Sequence, residues 1–150
     1  DPHAPKYWTH PGTGRTAVYY PPVIGWDRYN NLDSSGPSRL PVVLCEGELD
    51  ALLLAQCGVP AVSVNNGVNA VAAMLPELLE RHGGIVLCLD NDEPGNNVMA
   101  GLLSDLDFRV VARGWQHEWG KDVGEAFAAG HGEALLDALR AAYRLILRKG

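Results

Sequence analysis

Residues 85–95 read IVLCLDNDEPG, and the reading of that stretch decides the fold. The apolar run Ile85 to Leu89 ends abruptly in Asp90, Asn91, Asp92 and Glu93, and Pro94-Gly95 breaks the chain before a helix. A short continuous apolar run bounded in this way is the pattern of a strand buried on both faces, as in a parallel sheet. Carboxylates just past its end stand where open α/β sheets place their ligands. Asp90, Asp92 and Glu93 repel one another unless a cation, protons or solvent relieves them. A hard divalent metal is the functional reading of that crowding, and a solvated acidic turn is the bland one.

The same grammar extends on both sides. Upstream, Pro41 opens the run Val42 to Cys45, which Glu46-Gly47 closes, and Glu48 to Gln56 reads as a helix that buries Leu49, Leu52, Leu53 and Ala55. Gly58 ends it. Ala61 to Val64 is a second strand, followed by the loop Asn65-Asn66-Gly67. Asn69 to Arg81 is a helix with Val71, Met74, Leu75, Leu78 and Leu79 apolar, in which Pro76 predicts a kink or a restart and Gly83-Gly84 a stop. Downstream, Asn96 to Leu106 is the helix of the opening stretch and Phe108 to Ala112 a fourth strand. Arg113 to Lys121 is a loop, and Asp122 to Ala129 and Gly132 to Leu147 are helical. Strands alternating with helices imply right-handed crossovers, so the fold class is α/β: a compact, Rossmann-like, roughly four-stranded parallel sheet covered on both faces.

Residues 1–40 differ in kind, being rich in proline, aromatics and turn signals, and read as an irregular N-terminal extension. Within it Arg15 to Ile24 supplies one or two edge strands at most, because its two prolines exclude a central one. Tyr7, Trp8, Tyr19, Tyr20, Trp26 and Tyr29, interleaved with Lys6, Arg15 and Arg28, suit packing or base stacking. The expected organisation is residues 1–40 as this extension, 41–130 as the catalytic domain and 131–150 as a C-terminal helix leading out of it.

At 150 residues, 47% hydrophobic and 20% charged, the chain suits one ordinary globular core. Its net charge of -6 excludes a domain that coats nucleic acid by charge alone, though not a site whose acids hold metal ions that then meet phosphates. Cys45, Cys57 and Cys88 form no CxxC pair and read as small buried hydrophobes in a reducing, cytoplasmic compartment. The five histidines share no zinc-ligand spacing. No segment reaches the length of a membrane span, and no signal-peptide pattern opens the chain. Its start at Asp1 suggests a piece of something longer.

In a parallel sheet the carboxyl ends of all strands share one edge. Glu46 ends the first strand, Asn65 and Asn66 follow the second, and Asp90 and Asp92 follow the third, so these residues converge. Asp50, one helical turn after Glu46, leans over the same cleft. The DxD spacing sends Asp90 and Asp92 to one side of the backbone, where their oxygens are able to share or flank one Mg²⁺.

Taken together, VVLCEGELDAL (42–52), LCLDNDEPG (87–95) and WGKDVGEAF (119–127) resemble the Toprim domain of primases, topoisomerases and related nucleases. The resemblance covers roughly residues 40–130 and is most like the primase and phage primase-helicase type. It implies Glu46 as the family glutamate, Asp90 and Asp92 as its DxD pair, Asp50 as the aspartate of the EGxxD element and Asp122 as that of the GKD element. Glu46, Asp90 and Asp92 would be catalytic. With Asp50 and Asp122 they would bind Mg²⁺ or Mn²⁺, while Lys121, Asn66 and Gly67 would face substrate phosphate. The implied activity is nucleotidyl transfer in DNA replication: primer synthesis on single-stranded DNA from nucleoside triphosphates, beside a helicase domain or protein, in a phage or mobile element. Metal would neutralise the triphosphate and acidify the attacking 3′-hydroxyl. The alternatives are a Toprim-type nuclease using the same acids, and a non-catalytic module that binds nucleic acid or a partner.

Two departures from the primase pattern stand out. Glu93-Pro94-Gly95 follows the DxD, where Glu93 is either an outer acid or a helix-start charge, and VNNGVNA replaces the usual small-residue loop after the second strand. Asp122 also reads as the N-cap of the next helix, a role compatible with metal binding. Neither a cysteine-rich module nor a strongly basic subdomain is present in these residues, which suggests a core that acts weakly alone.

Overall fold

In the computed structural model, which describes residues 17–22, 40–65, 67–103, 109–112, 115 and 117–149, the apolar runs form β2 (Val42–Cys45), β3 (Ala61–Val64) and β4 (Ile85–Cys88). Every residue of these three strands is buried. Two shorter strands, β1 (Val18–Tyr19) and β5 (Val110–Ala112), complete the sheet. Its order is β1-β3-β2-β4-β5, with β1 antiparallel to β3 and all other pairs parallel. Four parallel strands thus carry one antiparallel edge strand. That edge strand falls inside Arg15 to Ile24, and Pro21 and Pro22 follow it, as residues that cannot donate to a ladder should.

Among the described residues five α-helices cover the sheet: α1 (Glu48–Gln56), α2 (Ala70–Arg81), α3 (Glu93–Leu103), α4 (Val123–Ala128) and α5 (Gly132–Lys149). Side chains alternate across the pleat. On one face Val43, Cys45, Val86 and Cys88 pack with Ala51 and Leu54 of α1, Val123 and Ala126 of α4, and Leu135, Leu139 and Ile146 of α5. On the other, Val42, Leu44, Ile85 and Leu87 meet Val71, Leu75 and Leu78 of α2 and Leu102 of α3. Each fully buried Leu or Val is worth about 1.5–3 kcal/mol, which lets such short strands persist.

The strand order creates the crevice. From β2 the chain steps to β3 on one side, then returns past β2 to β4 on the other. Right-handed crossovers therefore place α1 on one face and α3 on the opposite face. The loops leaving β2 and β4 diverge, and a gap opens between them where the order reverses. Cys45 pairs with Cys88, so the two strands end level at that gap.

Several local expectations change. Leu49 is 71% exposed and Leu52 and Leu53 are only partly buried, so that α1 buries Ala51 and Leu54 beside the expected Ala55. The chain does not break at Pro94-Gly95, because α3 starts at Glu93 and takes both residues into its first turn, where a missing N–H leaves no helix bond unmade. Pro76 lies inside α2, which runs through to Arg81 without a restart. β5 begins at Val110, and Phe108, like the aromatic and basic residues of 1–16 and 23–39, lies outside the described residues.

At the edge opposite the crevice, β1 is tied to α2. The Tyr20 hydroxyl lies 3.0 Å from His82 Nε2 and accepts from Arg81 Nη1 at 3.3 Å, while the guanidinium stands over the tyrosine ring. His82 is buried, which together with the nearby Arg81 charge pushes its pKa down to about 4. Among the described residues no helix is long and apolar enough to cross a membrane.

Candidate functional site

Glu46 leaves β2 and Asp90 follows β4, one on each side of the gap. Because the strands end level, Asp90 N donates to Glu46 Oε1 at 3.0 Å. The bond fixes one glutamate oxygen and leaves the other for a ligand. Asp92 caps α3: its Oδ1 accepts from Gly95 N at 2.8 Å, as an N-cap carboxylate does with the third helical residue. Glu93 is thereby the first helical residue, where an acid suits the macrodipole.

Gly95 makes this packing possible. A Cβ there would stand 2.2 Å from the Asp90 carbonyl oxygen, 2.8 Å from Glu46 Oε1 and 3.0 Å from Asp92 Oδ1. No side chain fits among all three. The start of α3 is thus pressed directly onto both acids of the DxD pair and onto Glu46.

The third segment arrives from the loop before α4. Asn91 N donates to the Lys121 carbonyl at 2.6 Å, joining the DxD turn to the GKD loop. Asp122 caps α4 by accepting from Glu125 N at 2.8 Å, and Glu125 Oε2 reaches back to Lys121 N at 2.6 Å, a close variant of the capping box. Gly120, at φ +84°, permits the turn that precedes it. Asp50 Oδ1 accepts from Gly124 N at 3.3 Å, so Asp50 and Asp122 meet at the start of α4. The Lys121 ammonium stands 3.9 Å from Asp90 Oδ2 and 3.7 Å from Asp92 Oδ2.

These charges feel one another. Burial raises the Asp90 pKa to about 7, with Glu46 and Asp50 adding to the rise, Lys121 opposing it and Asp122 adding again. Glu46 is also raised, first by burial, against which the Asp90 N–H works, then by Asp92 and Asp50, with Lys121 again opposing. Both carboxyl groups therefore hold a proton more tightly than usual, first because burial disfavours their charged forms and then because like charges crowd them.

The structure brings Glu46, Asp50, Asp90, Asp92, Asp122 and Lys121 into one electrostatic neighbourhood. Gly67 lies on the same sheet edge after β3, exposed and at φ +83°, while Asn66 is outside the described residues. The amide of Asn65 is used elsewhere, its Oδ1 accepting from Ala17 N at 2.7 Å. Gly95 and Glu125 join the site although their chemistry alone does not mark them in the sequence. Their signals were present all the same, in a glycine inside a helix start and in the D-x-x-E spacing of 122–125. Among the described residues, no three His, Cys, Asp or Glu side chains sit close enough together to hold a metal ion. The donor chemistry nonetheless suits a hard divalent cation: carboxylate oxygens from Glu46, Asp90 and Asp92, with an ammonium already standing beside the two aspartates.

Comparison with known proteins gives this geometry a context. A family model described as Toprim-like matches residues 43–127, which include every acid above. The primase domains of bacteriophage T7 gp4, in a complex with the T7 lagging-strand DNA polymerase and bound to an RNA/DNA hybrid and dTTP, match with a TM-score of 0.56 and 27% identity over 67% of this chain and 54% of that one. The primase fragment of the bacteriophage T7 primase-helicase matches with a TM-score of 0.57 and 25% identity over 77% of this chain and 47% of that one. The chain thus spans about half the length of these solved chains. No curated protein sequence matches it significantly. Because the family model spans more than half of the chain and takes in all three segments that meet at the site, the chain belongs to the Toprim-like family and resembles its phage-primase type.

Proposed function

We propose that this domain is the metal-dependent nucleotidyl-transfer core of a DNA primase or primase-helicase, extending a primer on single-stranded DNA. The observation that carries the reading is the junction of Glu46 with Asp90 and Asp92 across the gap between β2 and β4, locked by the Asp90 N to Glu46 Oε1 bond. Glu46, Asp90 and Asp92 would hold Mg²⁺ or Mn²⁺, with Asp50 and Asp122 on the far side of the site. When bound, such an ion polarises phosphoryl oxygens and lowers the pKa of an attacking hydroxyl. The chain's own part is positional. The N-cap bond of Asp92 and the clash-free approach of Gly95 hold the two DxD carboxylates at the level of Glu46. The second oxygen of Glu46 would serve either as a ligand to the ion or as the acceptor of the hydroxyl proton, and its raised pKa suits the latter task. Support for a primase, in preference to another Toprim activity, comes from the likeness to the T7 primase structures, one of them bound to an RNA/DNA hybrid and dTTP.

The test is incubation of the protein with single-stranded DNA, nucleoside triphosphates and Mg²⁺ or Mn²⁺. Labelled oligomers that vanish in the Asp90→Asn, Asp92→Asn double variant are the expected result. A shortened template would move the reading to hydrolysis by the same acids, and neither product would leave a binding module.

A further inference from the structure

The acids at the gap are held mostly by backbone donors. Glu46 is held by Asp90 N, Asp92 by Gly95 N, Asp50 by Gly124 N and Asp122 by Glu125 N. The remaining pair, Asp90 Oδ2 and Asp92 Oδ2, faces one ammonium, that of Lys121. The main chain of Lys121 is fixed at both ends, its carbonyl to Asn91 N and its N–H to Glu125 Oε2. Its side chain is a flexible four-carbon stem, 53% exposed. The backbone therefore stays on the DxD turn while the charge is able to leave it. Separations of 3.7 and 3.9 Å are at the loose end of ion pairing, where the net attraction is small and reversible.

We infer that Lys121 is a tethered counter-ion: its ammonium neutralises Asp90 and Asp92 in the metal-free protein and is displaced when a divalent cation enters between them. The inference rests on the metal-site reading and adds to it the means by which crowded acids stay folded together beforehand. Lys121 acts on the metal through the two aspartates and is a positioning residue.

The experiment is a Mn²⁺ titration of the wild-type protein and Lys121→Met by calorimetry without nucleotide, paired with thermal unfolding with and without Mn²⁺. Removal of the competing ammonium is expected to tighten Mn²⁺ binding about fivefold, the scale of one half-exposed ion pair. It should lower the melting temperature of the metal-free protein more than that of the Mn²⁺-saturated one, and Lys121→Arg should return the affinity toward wild type. Equal or weaker Mn²⁺ binding in Lys121→Met overturns the inference. So does an equal loss of melting temperature in both states, which is what a merely structural lysine would give. The two levels separate cleanly. If Asp90→Asn with Asp92→Asn leaves Mn²⁺ affinity unchanged, the metal site itself falls. Binding that needs both aspartates but ignores Lys121 removes only the counter-ion.

Discussion

Gly95 concentrates the logic of the site in one missing side chain. An alanine there has a good helical conformation and would be expected to stabilise an exposed helix, yet its Cβ would meet a main-chain oxygen at 2.2 Å. Overpacking against rigid backbone typically costs roughly 1–3 kcal/mol. Gly95→Ala is therefore expected to destabilise the fold by about that amount and to weaken Mn²⁺ binding as well, because relief of the clash requires α3 to move off Asp90 and Glu46. Urea denaturation measures the first and calorimetry the second. A variant as stable as the wild type with unchanged Mn²⁺ affinity would remove Gly95 from the site. The acids themselves were legible from their types and spacing. Nothing in the sequence said how close α3 would come to them.

The element scale separates what a helix is from which way it faces. The limits of α1 follow from Gly47, Gly58 and the apolar run between them, and they agree with the structure. Its rotation does not follow, because leucine or alanine occupies nearly every position from Leu49 to Ala55 and periodicity cannot choose among them. The sheet chose Ala51 and Leu54. Leu49→Ala is accordingly expected to change stability by no more than about 0.5 kcal/mol, whereas Leu54→Ala should cost roughly 2–5 kcal/mol. Chemical denaturation of the pair distinguishes this facing from the reverse. At α4 the cap was legible, since Asp122 and Glu125 stand at capping-box spacing. Asp122→Ala should lose about 1 kcal/mol through that cap alone.

At the scale of the whole molecule, a buried histidine and a partly buried aspartate at opposite edges of the sheet oppose one another. His82 has its pKa lowered from 6.5 to about 4, so the unfolded chain binds that proton more tightly. Its share of stability is complete above pH 6.5 and lost as the pH falls toward 4. Asp90 is raised from 3.8 to about 7, so the folded chain binds that proton more tightly. Its share is complete below 3.8 and lost as the pH rises through 7. Between pH 4 and 6.5 the two slopes oppose one another, the raised Glu46 adding to the side of Asp90, and a wild-type urea midpoint that varies less than that of either variant is expected. Asp90→Asn should expose a steeper loss on acidification. His82→Gln should leave a midpoint that falls as the pH rises from 4 to 7. Parallel profiles in both variants would contradict these assignments.

The sequence by itself determined the alternation of buried strands and helices, the parallel sheet that this implies, and the acids at the carboxyl ends of its strands. Those are properties of runs, periods and residue types, which act over a few neighbours. Only the tertiary structure decided that β2 and β4 lie side by side and end level, that Glu46 bonds to Asp90 N, and that Lys121 stands over Asp90 and Asp92. These depend on strand order, register and the space left by Gly95, which arise when segments far apart in the chain compete for one core.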